Sequence, residues 1–451
     1  MLLGKSRMVT ALQQAVKKSP ADETLIAAQR TSRTTLRFSG GRIHQNFHEE
    51  EVTAWVKVVC DSQMGVATTC SLSGDSLKRA IDSAMTIARI NAKQASPAFS
   101  TSPPKRKLPP VITYFPQTTQ QPLSKSIETI RELWKKSGRL KMELAGSFVV
   151  GEDELSVIGS RGLTQYQPFS ISGLRLVATR DKASGFAAQA SRNLEEIAYE
   201  RLAERAWEFC RMNRNPKNIP LGKYDVLLEP EAVSEILEWL SYIGFGAKQV
   251  IEGTSFMAGR MGERLMHPML SITDDGSDPQ GLVVPFDYEG VPKERVTLID
   301  KGVAKEIVYD SHYAKIHRRH STGHALSYDE FEGPLASNLF VAPGETPYEE
   351  LLKRMPRGLW ISRFHYVSGL LKTQEALMTG LTRDGTFLVQ KGKADGAVKN
   401  LRFTQSILEA FSKIAAVSRE RRLVADPSQG FSAQVVPAIL IKDFTFTGQT
   451  T

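Results

Sequence analysis

The chain has 451 residues, 41% hydrophobic and 24% charged, which excludes a disordered chain and is too long for one core, so two or three domains are expected. No apolar run reaches the roughly 18 residues that span a bilayer, and residues 1–7 lack the hydrophobic segment of a secretory signal, so a cytoplasmic protein with no membrane partner is expected. Cys60, Cys70 and Cys210 are too few for a disulfide framework, and the net charge of +9 is spread along the chain; its densest run, Lys105-Arg106-Lys107, lies among prolines, where a solvated linker explains it as well as a phosphate site.

Apolar side chains at helical spacing from Val9 to Val16 predict a helix that Pro20 ends. Alternating stretches at Thr24–Ala28, Thr34–Phe38, Val52–Val59 and Gly65–Thr69, separated by Gly40-Gly41 and Asp61-Ser62, predict an antiparallel meander. Leu77, Ile81, Met85 and Ala88 then fall on one helical face, with Gly74-Asp75 as its cap. Residues 1–95 thus form a first helix–strands–helix unit. Residues 96–123 hold seven prolines among Ser and Thr, a composition that sustains neither helix nor interior strand and predicts a linker.

The same order returns in residues 124–212. A helix is predicted near Ser126–Lys136, strands near Met142–Val150, Leu155–Ile158 and Ser170–Thr179, and a helix over Asn193–Met212, which suggests a structural duplication without a residue-level repeat. Asn213–Gly222 is the second boundary. Over 223–451 short strands and turn dipeptides dominate, with Val435–Ile441 as the last strand and helical patterns at Pro230–Ser241, Tyr348–Arg354 and Thr404–Ala416. The expected class is α+β: two amino-terminal helix/antiparallel-strand units, then a mostly β carboxyl-terminal domain with attached helices.

No phosphate loop, Gly-x-Ser-x-Gly elbow, Cys-x-x-Cys pair or His-Glu-x-x-His helix is present. His317, His320 and His324, with His312 upstream, have a spacing that would place three imidazoles on one helical face for a transition metal. Arg318 and Arg319 interleave them and Ser321-Thr322-Gly323 breaks the helix, which favours a solvated basic turn. Asp274, Asp275 and Asp278, with the later Asp287 and Glu289, offer clustered carboxylates for a hard cation, but ordinary turn chemistry accounts for them better.

Five segments then occur in one order: Ser255–Ala258, Gly259–Arg264, Ser271–Asp275, Pro285–Pro292 and Ser321–Gly323. Together they resemble the TldD/PmbA family, also described as modulators of DNA gyrase and understood as a metalloprotease system. The resemblance is firm over 224–330 and continues through Lys399–Thr404 and the last strand. In the family's catalytic branch a helix carries His-Glu-x-x-x-His and a cysteine near the carboxyl terminus completes the zinc site; the glutamate acts as base on a zinc-bound water. The corresponding positions here are Glu238, Trp239, Leu240, Ser241, Tyr242 and Ile243, and no cysteine follows Cys210. The resemblance therefore implies the PmbA/TldE branch: a subunit without its own zinc site or other cofactor, zinc being expected only in a catalytic partner.

That partner would be a TldD-like chain in a heterodimer, or a second copy in a homodimer. The substrate would be an unfolded or small peptide, held on an exposed strand edge through main-chain hydrogen bonds. Asp287, Glu289, Gly290, Thr322 and Gly323 are the candidate groove residues, with turn formation equally open for each; His324 stands where the family commonly has asparagine. Two rivals remain: a self-sufficient metallopeptidase with an unrecognised site, and a DNA-gyrase-associated regulator. The chain shows no recognition helix, zinc finger or aromatic RNA-binding strand, which argues against nucleic acid.

Overall fold

The computed structural model describes residues 2–91, 98–427 and 432–450; the end of the first predicted unit and the first two linker residues lie outside these. The amino-terminal half runs α1 (Lys5–Lys18), β1 (Glu23–Ser39), β2 (Arg42–Cys60), β3 (Gln63–Thr69), α2 (Gly74–Ile90), α3 (Pro116–Gln120), α4 (Leu123–Arg139), β4 (Glu143–Gly159), β5 (Thr164–Arg180), β6 (Ala183–Ser191) and α5 (Tyr199–Met212). Its six strands form one antiparallel sheet ordered β3-β2-β1-β4-β5-β6. The two helix–strands–helix repeats therefore meet at the centre of a shared sheet, where β1 and β4 pair from Leu25–Gly159 to Phe38–Gly146.

Strand alternation divides the faces of this sheet. Ile26, Ala28, Val56 and Val58 meet α1 and α2 through Met8, Leu12, Leu77, Ile81 and Ala84. Leu36, Phe148, Leu174 and Leu176 meet α4 and α5 in the same way through Ile130, Leu133, Ala206 and Trp207. The intervening residues Leu25, Ala27, Trp55, Leu155 and Phe169 face the opposite way and pack on Val284 and Phe286 of the carboxyl-terminal half.

Several predicted boundaries move. Thr24–Ala28 and Thr34–Phe38 are one strand, as are Met142–Val150 and Leu155–Ile158, because the polar residues between them pair with each other inside the sheet. Arg30 lies 2.9 Å from Glu50 and 3.4 Å from both Glu152 and Glu154, and Arg33 lies 2.9 Å from Asp153. The cap of α2 is Ser73, whose Oγ accepts from the Ser76 N–H, and not Gly74-Asp75. The last helix of the half starts at Tyr199, after a 3₁₀ turn capped by Asn193. The predicted linker contains α3, with Pro116 at the first position, where a missing N–H is harmless. Nor is it solvated throughout: Phe99 and Thr101 are buried, and Arg106 donates to the Pro292 carbonyl and lies 3.2 Å from Glu294.

The carboxyl-terminal half continues with β7 (Gly222–Leu228), α6 (Pro230–Leu240), a π turn (Ser241–Phe245), α7 (Ala247–Ile251), β8 (Ile272–Asp274), β9 (Val296–Asp300), β10 (Val303–Ala304), α8 (Ser311–Ile316) and β11 (Asn338–Val341). It ends with α9 (Tyr348–Leu351), β12 (Arg357–Lys372), β13 (Leu377–Gln390), β14 (Lys393–Ala397), β15 (Leu401–Ser406), α10 (Ile407–Ser412), β16 (Ile414–Val424) and β17 (Ala433–Gln449). The strand order is β10-β9-β8-β11-β17-β15-β13-β12-β7, and β7 pairs again with β17. That second pairing closes β17, β15, β13, β12 and β7 into a five-stranded barrel. Phe364, Phe403 and Phe444 are buried here, with ring centroids 4.7 Å apart for the first pair and 5.4 Å for the second.

The predicted helix Thr404–Ala416 is three elements: the end of β15, α10 capped by Ser406, and the start of β16. Backbone pairing of Thr404–Ser406 with β13 overrides the apolar spacing there. The Tyr348–Arg354 pattern is α9 continued by one 3₁₀ turn. Among the described residues no helix is long and apolar enough to cross a membrane.

Candidate functional site: two cavities between sheet and barrel

Pro230 opens α6 at the first helical position, and two stripes follow. Ala232, Val233, Ile236, Leu237 and Leu240 are buried in the barrel-side core, whereas Glu231, Ser234, Glu235 and Glu238 line a cavity of about 660 Å³. Arg175 and Phe186 of the amino-terminal sheet, Arg363 of β12 and Gln434 of β17 supply other walls. The cavity thus lies where sheet, helix and barrel meet. Arg175 lies 2.7 Å from Asp426 and Arg363 2.5 Å from Asp384, and both guanidiniums stand over the Phe186 ring, at 5.7 and 4.4 Å from its centre. Glu235 has its carboxyl pushed up to about 7, chiefly by burial and then by Glu238.

The six positions matched to the zinc helix straddle the end of α6 and the π turn, so they do not share one face. Glu238 is exposed on the cavity, Trp239 packs on Gly369, Leu240 is buried, and Ser241 donates to the Ala336 carbonyl. Tyr242 donates to Glu332, and Ile243 is buried in the core.

Of the turn residues singled out from sequence, Asp287 and His324 line a second cavity, of about 340 Å³, at the joint between the halves. Asp287 Oδ1 accepts from the N–H groups of Glu289 and Val291, and Oδ2 accepts from the N–H of Ala325, which ties the Pro285–Pro292 turn to the Ser321–Gly323 turn. Burial, then Glu289, pushes the Asp287 carboxyl up against those three donors. Glu289 is 3.2 Å from Lys57 of β2 and also accepts from the Ser311 N–H. The Lys57 ammonium is sandwiched between the rings of Phe99 at 4.7 Å and Tyr328 at 4.5 Å. Gly290, at φ +73°, packs on Val157 of β4 and on Leu163 in the turn before β5.

Thr322 accepts from the Tyr309 N–H, and Gly323, at φ +76°, sits against the Pro292 carbonyl, where a Cβ would come within 2.5 Å of the oxygen. Asp287, Glu289 and Thr322 are all buried. The candidates therefore lie in turns that lock the sheet to the barrel half, with Asp287 lining the second cavity.

The histidines part company. Helix α8 ends at Ile316, His317 contacts the Tyr309 hydroxyl, and His320 lies 3.1 Å from Glu294. His324, read from sequence as part of a solvated turn, is buried between Thr322 at 2.9 Å and Asp274 at 2.8 Å. Burial lowers the His324 pKa against the pull of Asp274. Burial alone would raise Asp274, but the charges of His324 and Lys293 hold it below its ordinary value. Below its lowered pKa His324 pairs with Asp274 as a cation; above it the neutral imidazole donates Nε2–H to Asp274 and accepts at Nδ1 from the Thr322 hydroxyl. Asp275 and Asp278 do cap local N–H groups, whereas Asp274 belongs to this buried chain. Among the described residues no group of three or more His, Cys, Asp or Glu side chains could hold a metal ion.

The polar stripe of α6 was visible in the spacing of Glu231, Ser234, Glu235 and Glu238, yet only the fold shows that it faces a cavity. For Gln434 and Lys57 no sequence signal exists, since their neighbours come from distant segments.

Residues 221–448 match the model of the PmbA/TldA metallopeptidase C-terminal domain, and residues 26–88 that of PmbA/TldA metallopeptidase domain 1. A metalloprotease of Methanocaldococcus jannaschii is 23% identical over 210 residues, 46% of this chain and 46% of that protein. A metalloprotease TldD homolog of Haemophilus influenzae is 25% identical over 173 residues, 38% of this chain and 35% of that protein. The matched stretches thus span less than half the length of these relatives. Among solved structures, TldE from Thermococcus kodakarensis superposes with a TM-score of 0.87 at 19% identity, over 97% of this chain and 100% of the other. A Thermotoga maritima protein named for modulation of a DNA gyrase gives 0.86 at 21% identity, over 97% and 99%.

Proposed function

The chain belongs to the PmbA/TldA metallopeptidase family, and we propose that within it this chain is a PmbA/TldE-type subunit that assists a TldD-like partner, in the cytoplasm, in cleaving unfolded or small peptides. The observation that carries this reading is the chemistry of the α6 positions. Zinc in such sites takes imidazole, thiolate and carboxylate donors, usually four in a tetrahedron. Here one carboxylate, Glu238, faces the cavity, Trp239 and Ile243 have no lone pair to offer, and no thiol follows Cys210. The residues present do not fit the ion, so hydrolysis is assigned to the partner and binding to this chain.

In this reading the cavity beside α6 holds peptide. Its walls come from both halves of the molecule, and the buried joint around Asp287, Glu289 and Lys57 keeps them in register. Mixing the purified chain with a TldD-type metalloprotease is expected to give co-elution and faster cleavage of an unfolded peptide. Absence of both overturns the proposal. Chelator-sensitive cleavage by this chain alone would instead support a self-sufficient peptidase.

A further inference from the structure

We propose that the cavity beside α6 binds a cationic nitrogen of the peptide, an amino-terminal ammonium or a lysine or arginine side chain, against Glu235 and Glu238. This rests on the peptide-binding reading above and names its substrate class.

Glu235 and Glu238 stand at i and i+3, where like charges on one helix face repel. Among the described residues neither carboxylate has a hydrogen-bond or ion-pair partner, although the other carboxylates around the cavity do. Glu231 is 3.1 Å from Arg422, Asp384 is 2.5 Å from Arg363 and Asp426 is 2.7 Å from Arg175. Arg363 and Arg175 are each paired with an aspartate beside Phe186 and reach Glu235 only at longer range, with the half-exposed Arg383 also 3.9 Å from Asp384. The charge left over on the helix wall is negative.

A second observation comes from another element. Gln434 of β17 is 6% exposed and lines the same cavity. Its side-chain oxygen accepts from the Ser234 hydroxyl, and its amide nitrogen has no partner among the described residues. That amide donor opens onto the cavity, where a peptide carbonyl can take the place of water as its acceptor. Two unpaired carboxylates beside one unpaired amide donor match a peptide that presents a cationic nitrogen and, next to it, a backbone carbonyl. A small anion would satisfy the amide but meet the carboxylates.

The test uses the full chain and four octapeptides of alanine and serine with a fluorescent label at the carboxyl end. Three are N-acetylated and carry lysine, alanine or glutamate at the centre; the fourth has a central alanine and a free amino terminus. By fluorescence anisotropy, the lysine peptide or the free-amine peptide is expected to bind about tenfold more tightly than the acetylated alanine peptide, with glutamate weakest. Which of the two binds tells side chain from terminus. The double variant Glu235→Gln, Glu238→Gln is expected to lose the preference. Glu238→Gln alone, at an exposed position, is expected to lose part of it, which covers misfolding of the double variant. Equal binding of all four peptides, or a preference that survives in the folded double variant, overturns the inference. Co-elution with a TldD-type partner and faster cleavage, without any cation preference, would sink this inference alone; loss of co-elution sinks the subunit reading instead.

Discussion

The two acidic regions of the molecule are built to opposite ends. At the joint, Asp274, Asp287 and Glu289 are buried and every one of them is held by named donors: His324 and the Asn338 N–H, three backbone N–H groups, and Lys57 with the Ser311 N–H. On α6, Glu235 and Glu238 face a cavity with no partner among the described residues. Charges that are satisfied internally hold two halves together; charges left over are available to a ligand. The family-like turn segments, expected from sequence to form a peptide groove, fall in the first class, and helix α6 falls in the second.

The largest expected effect breaks the joint. Lys57→Ala leaves Glu289 buried without its cation, and a loss of about 3 kcal/mol in denaturant unfolding is expected. A change below about 0.5 kcal/mol would show that the joint does not carry stability. Next, Gly323→Ala places a Cβ against the Pro292 carbonyl at positive φ and is expected to cost about 2 kcal/mol. Gly259→Ala is the control, because it has positive φ with nothing within 4 Å, and about 1 kcal/mol is expected there. Equal losses at the two glycines would remove the steric part of the argument.

The smallest effects separate the regions by the sign of their pH dependence. His324 and Asp274 both have lowered pKa values, so their stability is present above the unfolded values and lost as pH falls. The His324 contribution is expected to fade from its ordinary value of 6.5 downward, and His324→Asn is expected to flatten unfolding curves between pH 7 and pH 5. Glu235 is raised to about 7, so the folded chain holds its proton more tightly and this carboxyl costs stability as pH rises through that value. Glu235→Gln is therefore expected to stabilise the chain by of order 1 kcal/mol at pH 8, with the effect shrinking as pH falls from about 7 towards the ordinary value of 4.5 and vanishing below it. A destabilised Glu235→Gln at pH 8 would mean that the carboxylate has an internal partner after all.

Much of this was legible in advance. Period-two alternation placed β2, β3 and β5, helical spacing placed α1, α2, α4 and α6, and the helix–strands–helix order of each amino-terminal repeat followed from those local periods. The order of the turn segments pointed to the family, and the content of positions 238–243 pointed away from a zinc site. Local pattern is silent where partners are remote. Arg30 and Glu152 are 122 residues apart, and their pairing lets polar residues run through the middle of two strands that alternation alone had cut in half. His324 and Asp274 are 50 residues apart, and their contact turns an imidazole expected in solvent into a buried one.

The sequence by itself determined the helix–strands–helix order of the amino-terminal half and the residue types that α6 presents, because each depends on side chains within a few turns of one another. Only the tertiary structure decided that the repeats share one sheet, that β7 closes a barrel on β17, and that Asp287 and Glu289 are spoken for while Glu235 and Glu238 have no partner among the described residues. Whether a carboxylate is structural or free depends on which cation the fold brings within about 4 Å of it, and that distance is set by packing between segments that no local pattern connects.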